Sequence, residues 1–389
     1  MTIGIISIGW ALIGASLGFM IWDLPQYFLP LLFLIPIIIL NIESKYARLL
    51  FALGYWMAAS WPVAAATKGF FHQDALLPGV LMLAVASLAH CLPFLWVKPL
   101  SSPLSLRDRI TNTLILLIGV VPPLGFFAWV HPFYALGIPD NFYSLVLVVA
   151  LLFLAFNLTK FSSKIVVSIA IVLFAYTQQY PVSHVNPQSP EHIAISTQWS
   201  GPAPSMNTQP QLARFLDILS DHNMRSGTGA RISVYPENIL GVVDRDTLQA
   251  YSSLMPVLSG RLLLGVSLLD NAELTNALVD PYSELVITAR VPMPVGSWRP
   301  WDAQNHHRSD IIKTNVFNMN GTPILFLFCA EEYMPFIWLS GLIERPQAII
   351  SVSNSWWAGP QSGVAQRQSL HAALLSRVVG LPIYRAVNE

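Results

Sequence analysis

The sequence predicts a polytopic α-helical membrane domain of about seven spans, followed by an α/β sandwich domain. Three observations carry that expectation. Hydrophobic residues make up 54% of the chain and charged residues only 11%, too apolar for an ordinary soluble protein. Up to about Tyr180, apolar stretches close to a bilayer-spanning length follow one another. Beyond that point the pattern changes to short apolar runs punctuated by Pro, Gly, Asn and Asp, with amphipathic helical segments between them. The expected division is a transmembrane helical domain over 1–180 and a second domain over 181–389.

The apolar stretches run approximately Ile3–Trp22, Tyr27–Ile42, Tyr46–Ala66, Leu76–Val97, Ile110–Val130, Phe142–Leu158 and Ser162–Tyr180. Basic residues sort their connections by side. Lys45 and Arg48, then Lys98, Arg107 and Arg109, then Lys160 and Lys164 fall on alternate connections, whereas the opposite side holds only Lys68. Because cytoplasmic loops carry the excess of Lys and Arg, the N-terminus is expected inside and everything after the seventh span outside. MTIGIISIG lacks a basic leader region, so the first stretch is read as a retained span. The 21 basic and 21 acidic residues balance, which gives no basic excess for a nucleic-acid partner. Of the two cysteines, Cys91 lies in the apolar run HCLPFLW, so a bond to Cys329 would have to join membrane to soluble domain, and both thiols are expected free.

In the second domain HIAISTQW, RISVYPE, RLLLGVSLL, ELVITARV, TPILFLFC and AIISVSN read as strands. Most are apolar throughout, as strands buried on both faces are. QLARFLDILSDHNM and QSLHAALLSRVVG read as amphipathic helices. SWRPWDAQNHHRSD is a long turn-rich connection, a length more typical of functional lids than of plain loops.

Chemistry concentrates at ILFLFCAEEYMP, where an apolar run delivers Cys329 to a turn followed by Glu331 and Glu332. A cysteine ending an apolar strand is, taken alone, more often a small buried hydrophobe. Here Glu237 of VYPE offers the second requirement. A thiol near pKa 8.5 is mostly protonated at neutral pH, so a desolvated carboxylate within hydrogen-bond reach must take its proton. The backbone N–H of Ala330, next after the nucleophile, is a candidate oxyanion donor, a role worth about 3 kcal/mol. No metal and no cofactor is expected. Adjacent His306 and His307 point apart in an extended segment and suit a solvated loop better than one ion. His90 and Cys91 are read as packing. Trp298, Trp301, Trp356 and Trp357 either grip an acyl chain or sit at a bilayer interface.

The order of VYPE at Glu237, RVPMPVGSW from Arg290, FCAEEY at Cys329, SVSNSWWAGP and SLHAALLSRVVGLPIYRAVNE resembles the nitrilase, or carbon-nitrogen hydrolase, superfamily. Its apolipoprotein N-acyltransferases join several spans to one periplasmic nitrilase domain, the arrangement read here over nearly the whole chain. The chain also resembles conjugal transfer proteins of this architecture, in RVPMPVGSWRPW, in the Trp356–Trp357 pair and in ending just after RAVNE. The resemblance implies that Glu237 takes the thiol proton, that Cys329 attacks a carbonyl to form a thioester, and that a lysine stabilises the oxyanion. Arg290 stands in that lysine's place, and a single gap would move the assignment to Ala289. Arginine keeps the charge but cannot shuttle a proton. Lys313, the one lysine of the second domain, lies in the approach to the nucleophile strand and is not expected to be catalytic. Glu331 matches a supporting carboxylate, Asn354 and Trp357 match the loop after the nucleophile strand, and Ser297 replaces a second family glutamate.

The resemblance further implies a bacterial inner-membrane location with the N-terminus cytoplasmic and the C-terminal domain periplasmic. It implies a membrane phospholipid as acyl donor, an amine acceptor, and lipoprotein or conjugation apparatus components as partners. The second reading, favoured by Arg290 and Ser297, is a non-catalytic membrane scaffold that keeps the fold as a binding surface.

Overall fold

The computed structural model describes every residue except 1, 25, 72–75, 141, 159–160, 179–192, 196–198, 200, 228, 255–259, 284, 294–295, 298–306, 360–361 and 389. The chain forms two compact units. One holds Met1–His184 together with Tyr333–Phe336 and Ser362–Gly380, the other Val185–Glu332, Ile337–Gln361 and Leu381–Glu389. The 180/181 division expected from the sequence lies outside the described residues. Two short segments from the C-terminal half also group with the first unit.

The first unit is helical. Its helices cover Thr2–Asp23, Leu34–Asn41, Lys45–Phe71, Leu76–Cys91, Leu106–Leu117, Phe142–Asn157 and Phe161–Thr177, with Val364–Val379 joining them from late in the chain. A 3₁₀ segment, Gln26–Phe33, leads into the second helix and contains Pro30, which cannot donate to an α-helical ladder. The expected fifth stretch, Ile110–Val130, is not one continuous helix. It is helical only to Leu117 and then breaks into the short turns Ile118–Val120 and Leu124–Phe127. Gly119, Pro122, Pro123 and Gly125 fall in this region and explain the break. Helices Thr2–Asp23 and Lys45–Phe71 cross closely because a Cβ at Gly14 would lie 2.0 Å from the Phe51 carbonyl oxygen, the small-residue contact that lets helix backbones touch. Among the described residues one helical stretch, Gly79–Trp96, is long and apolar enough to cross a membrane. Ser7–Asp23, Gln26–Asn41, Phe142–Asn157 and Ser163–Thr177 are shorter apolar helices.

The second unit is the expected α/β sandwich. Its first sheet contains β1 (Ile193–Ile195), β2 (Ile232–Val234), β3 (Val242–Asp244), β4 (Arg261–Asp270), β5 (Glu273–Val279) and β6 (Val286–Thr288). The order is β1-β2-β4-β5-β6, with β3 also pairing β4. The pairs β1–β2, β2–β4 and β3–β4 are parallel, and β4–β5–β6 is an antiparallel meander. The second sheet contains β7 (Val316–Met319), β8 (Thr322–Phe328), β9 (Ala348–Asn354) and β10 (Ile383–Asn388), ordered β10-β9-β8-β7. Only the β7–β8 hairpin is antiparallel there.

Alternation within the strands assigns their faces. Val234, Leu263, Leu278 and Ile287 of the first sheet pack with Phe326, Phe328, Ile350 and Val352 of the second in one buried core. The intervening Leu262, Leu264 and Val266 face the other way, under Phe215, Ile218 and Tyr251 of helices Gln209–Gly227 and Arg245–Leu254. Strand β4 is therefore buried on both faces, which is why RLLLGVSLL reads as a continuous apolar run.

Candidate active site

Strand β8 is buried from Ile324 to Phe328 and ends at Cys329, whose φ of +35° lies in a region that side chains other than glycine rarely adopt. The chain then winds into the 3₁₀ turn Cys329–Tyr333. The strained turn stops the strand abruptly and places the half-buried residue Cys329 at its end, the geometry of a nucleophile elbow.

Glu237 follows β2 through Pro236 and is 6% exposed. Its approach depends on Gly265 of β4, because a Cβ there would lie 1.8 Å from the Pro236 carbonyl oxygen. The Asn276 side chain donates to Glu237 Oε1 at 2.7 Å. The Ser267 hydroxyl lies 3.3 Å from Asn276 Oδ1, which orients that amide. Glu237 and the Cys329 thiol are joined by a side-chain hydrogen bond. Burial pushes the Glu237 carboxyl up to about 8, with the Glu331 charge adding to it and the Cys329 and Asn276 hydrogen bonds opposing it. Burial also pushes the Cys329 thiol up, as does the Glu237 charge, against a hydrogen bond from the Asn354 backbone. Both shifts favour the protonated forms of the resting pair. Ionised Glu237 can accept the thiol proton as sulfur attacks a carbonyl.

Glu331 is fully buried and serves the turn. Its Oε1 accepts the backbone N–H groups of Arg290 at 2.5 Å and Val291 at 2.9 Å. Its Oε2 accepts that of Phe328 at 3.0 Å. One carboxylate thus fixes the residue before the nucleophile to the start of the 290–297 loop. Burial raises Glu331 to about 7 against those three N–H groups. The neighbouring Glu332, also fully buried, pairs with Arg385 of β10 through two contacts, Nε–Oε1 at 2.7 Å and Nη2–Oε2 at 2.8 Å. Ala330 is buried in the turn directly after the thiol. At the end of β9, the Asn354 carbonyl accepts Trp357 Nε1 at 2.7 Å, and Asn354 Oδ1 accepts Asn388 Nδ2 at 3.2 Å.

The structure thus gathers Glu237, Cys329, Ala330, Glu331, Asn354 and Trp357 into one neighbourhood, and treats Arg290 differently. The Arg290 guanidinium donates to the Ile311 carbonyl at 2.6 Å, the Ile337 carbonyl at 3.3 Å and Ser340 Oγ at 2.8 Å, and its Nε is buried without a partner. Its backbone N–H joins the site through Glu331, while its side chain ties a loop to a helix. This corrects the reading of Arg290 as the oxyanion cation. Alternation supplies the reason. Thr288 pairs with Ala277 across β5–β6, so Ala289 stands opposite Asn276, to whose carbonyl its N–H donates at 2.8 Å. Opposite residues of an antiparallel pair share a face, so beside the Asn276–Glu237 hydrogen bond the chain presents the Ala289 methyl and sends Arg290 elsewhere.

Lys313 donates to Thr288 Oγ1 at 3.0 Å and lines a polar cavity of about 350 Å³ together with Thr288, Ala289, Arg308 and Asp310. Ser297 accepts the His307 N–H through its carbonyl at 2.8 Å, closing the base of the long connection. Trp298, Trp301 and His306 lie outside the described residues. Among the described residues, no three His, Cys, Asp or Glu side chains come together to hold a metal ion. Sequence reasoning missed Asn276, Gly265 and the Glu332–Arg385 pair. The first two had a readable signal, an amide inside the strand LTNALV and a glycine inside an apolar run.

No protein-family model matches the chain. It is similar to the probable conjugal transfer protein TraB of Sinorhizobium fredii, with 24% identity over 94% of each chain. It is also similar to the conjugal transfer protein TraB of Agrobacterium fabrum, with 22% identity over 97% of this chain and 91% of that protein. Among solved structures it is similar to an amidase from Nesterenkonia sp. AN1 bearing acrylamide at its active-site cysteine, with a TM-score of 0.38, 15% identity, and 50% of this chain and 78% of that one covered. A cysteine mutant of that amidase, described as from the nitrilase superfamily, aligns at 0.37 with 15% identity over 52% of this chain and 78% of that one. A glutamine-dependent NAD⁺ synthetase from Acinetobacter baumannii aligns at 0.33 with 14% identity over 42% and 32%. The similarity to conjugal transfer proteins thus extends over nearly the full length of the chain.

Proposed function

We propose that this chain is an inner-membrane protein of plasmid conjugation whose second unit transfers an acyl group through a thioester on Cys329. The single observation that carries the chemistry is Cys329, at a φ of +35°, hydrogen-bonded to a buried Glu237. A strained turn and a desolvated acid are each costly, and together they are what thiol acylation requires. Glu237 takes the thiol proton, sulfur bonds to the acyl carbon, and the leaving alcohol carries the proton away. An amine acceptor then attacks the thioester and sulfur leaves, regaining its proton. The Ala330 N–H is the donor assigned to the oxyanion. With the Ala289 methyl where a cation would help, oxyanion stabilisation rests on backbone groups, and slow turnover is expected.

A phospholipid acyl donor follows from the membrane reading. About seven spans, an N-terminus in the cytoplasm and a periplasmic second unit are supported by the alternation of basic connections. The spans are also supported by the outward apolar surface of the first unit, where Leu12, Val85, Phe153 and Val166 are exposed. A lipoprotein or another component of the conjugation apparatus is the proposed acceptor.

The test is intact mass spectrometry of protein purified with native lipids. A hydroxylamine-labile fatty-acyl adduct on Cys329, missing in Glu237→Gln, is expected. A bare thiol after added phospholipid would remove the acyl-transfer reading. The scaffold reading is favoured by one observation, the diversion of the Arg290 side chain to a structural task. Mating efficiency that survives Cys329→Ala at normal protein level would decide for it.

A further inference from the structure

Arg290 is a buried side chain of the second unit that the proposed chemistry does not use, and what it holds is informative. It donates to the carbonyl of Ile311 in one connection and to the carbonyl of Ile337 and hydroxyl of Ser340 in helix Pro335–Gly341, six residues beyond the nucleophile. Thr314 and Glu344 join the same two segments by a further hydrogen bond between Thr314 Oγ1 and Glu344 Oε1. Beside these tethers stand three aliphatic side chains that the chain leaves bare. Ile312 is 93% exposed, Ile343 79% and Leu339 42%. A β-branched side chain almost wholly in water at the tip of a clamped connection is unfavourable unless something apolar meets it.

We propose that Ile312, Leu339 and Ile343 form a lipid-contact surface that enters the head-group region of a bilayer beside the Cys329 turn, with Arg290 as the clamp that sets its shape. The composition favours lipid over protein. Protein hot spots are rich in Trp, Tyr and Arg and poor in Leu, whereas this patch is aliphatic and flanked by the cations Arg308, Lys313 and Arg345. Aliphatic tips ringed by basic residues suit the boundary between acyl chains and anionic head groups. Asp310 and Glu344 lie in the same two segments and offset part of that ring, which keeps one net positive charge from its three cations and two carboxylates.

The inference shares with the proposed function only the premise that the chain works at a bilayer. It does not depend on thiol chemistry. Full-length protein in a Cys329→Ser background, in nanodiscs of phosphatidylethanolamine and phosphatidylglycerol, would carry a polarity-sensitive fluorophore at Ile312→Cys or Ile343→Cys. Val85→Cys on helix Leu76–Cys91 and Met224→Cys on helix Gln209–Gly227 serve as lipid and water references. Blue-shifted emission at 312 and 343, quenched by nitroxide-bearing lipid and protected from iodide as at 85, is expected. Iodide quenching like that at 224, with 85 still lipid-quenched, would overturn the inference and leave the membrane reading intact. Protection from both quenchers at 312 and 343 would mean that a protein covers the patch, which also overturns it. Loss of lipid quenching at 85 would overturn the shared premise instead. Adding Arg290→Met should reduce lipid quenching at both labels if the clamp sets the surface.

Discussion

At the scale of single residues, the proposed chemistry turns on Glu237. Replacing it with Gln keeps the Asn276 contact within reach but removes the base. Cys329 acylation should slow by about 10²- to 10⁴-fold, followed by the rate of thioester formation. With Glu237 held near 8, the base form grows as pH rises. Iodoacetamide labelling of Cys329 should therefore climb through about pH 8 and lose that step in Glu237→Gln. Stability should run the opposite way. A carboxyl raised on folding binds its proton more tightly in the native state, so its contribution is complete below the ordinary carboxylate pKa. That contribution is lost as pH rises through about 7 for Glu331 and about 8 for Glu237. Thermal midpoints should fall over that window, and less steeply in Glu237→Gln. Legibility at this scale split by role. Cys329, Glu237 and Glu331 stood out because each carries its chemistry in its own side chain. Asn276 did not, because nothing local says that an amide on β5 will reach a carboxyl beyond β2. Arg290 misled because alternation on β6, one residue either way, decides whether a cation or a methyl faces the site.

At the scale of elements, the approach of the Glu237 segment to β4 rests on a missing methyl. Gly265→Ala places Cβ 1.8 Å from a backbone oxygen that no side-chain rotation can clear. A loss of at least about 3 kcal/mol in denaturant unfolding is expected, at the upper end of overpacking effects, together with loss of Cys329 reactivity. Arg290→Ala takes the donor from the half-buried Ile311 carbonyl, while the Ile337 carbonyl keeps the Ser340 hydroxyl at 2.9 Å, and should cost about 1–3 kcal/mol, while Arg290→Lys should recover part of it. The long apolar strands β4, β8 and β9 were legible because burial on both faces leaves an uninterrupted apolar run. Strands β3, β5 and β7 were not, being short or interrupted by Thr and Asn, and their pairing is set by neighbours distant in sequence. In the first unit the apolar stretches were legible as helices except where Gly119, Pro122 and Pro123 break the fifth, a local rule that was on the page and outweighed by hydropathy.

At the scale of the whole molecule, the late helix Val364–Val379 groups with the N-terminal helices. Arg367 pairs with Asp23 at 2.5 Å and donates to the Ala59 carbonyl. His371 stacks on Trp22 with ring centroids 4.9 Å apart. Breaking that half-buried pair with Asp23→Ala should destabilise the helical unit by up to about 3–5 kcal/mol, the cost of stranding a buried charge. The measurement is thermal unfolding of detergent-solubilised protein. No local pattern announced this grouping, since an amphipathic helix shows that one face is covered and not by what.

The backbone leaves the second unit immediately after the Cys329 turn, at Tyr333, and does so again at Ser362. Neither half is therefore a cassette with a single seam. A graft that exchanged everything after residue 184 for another protein's hydrolase-like half would also carry off a helix belonging to the first unit.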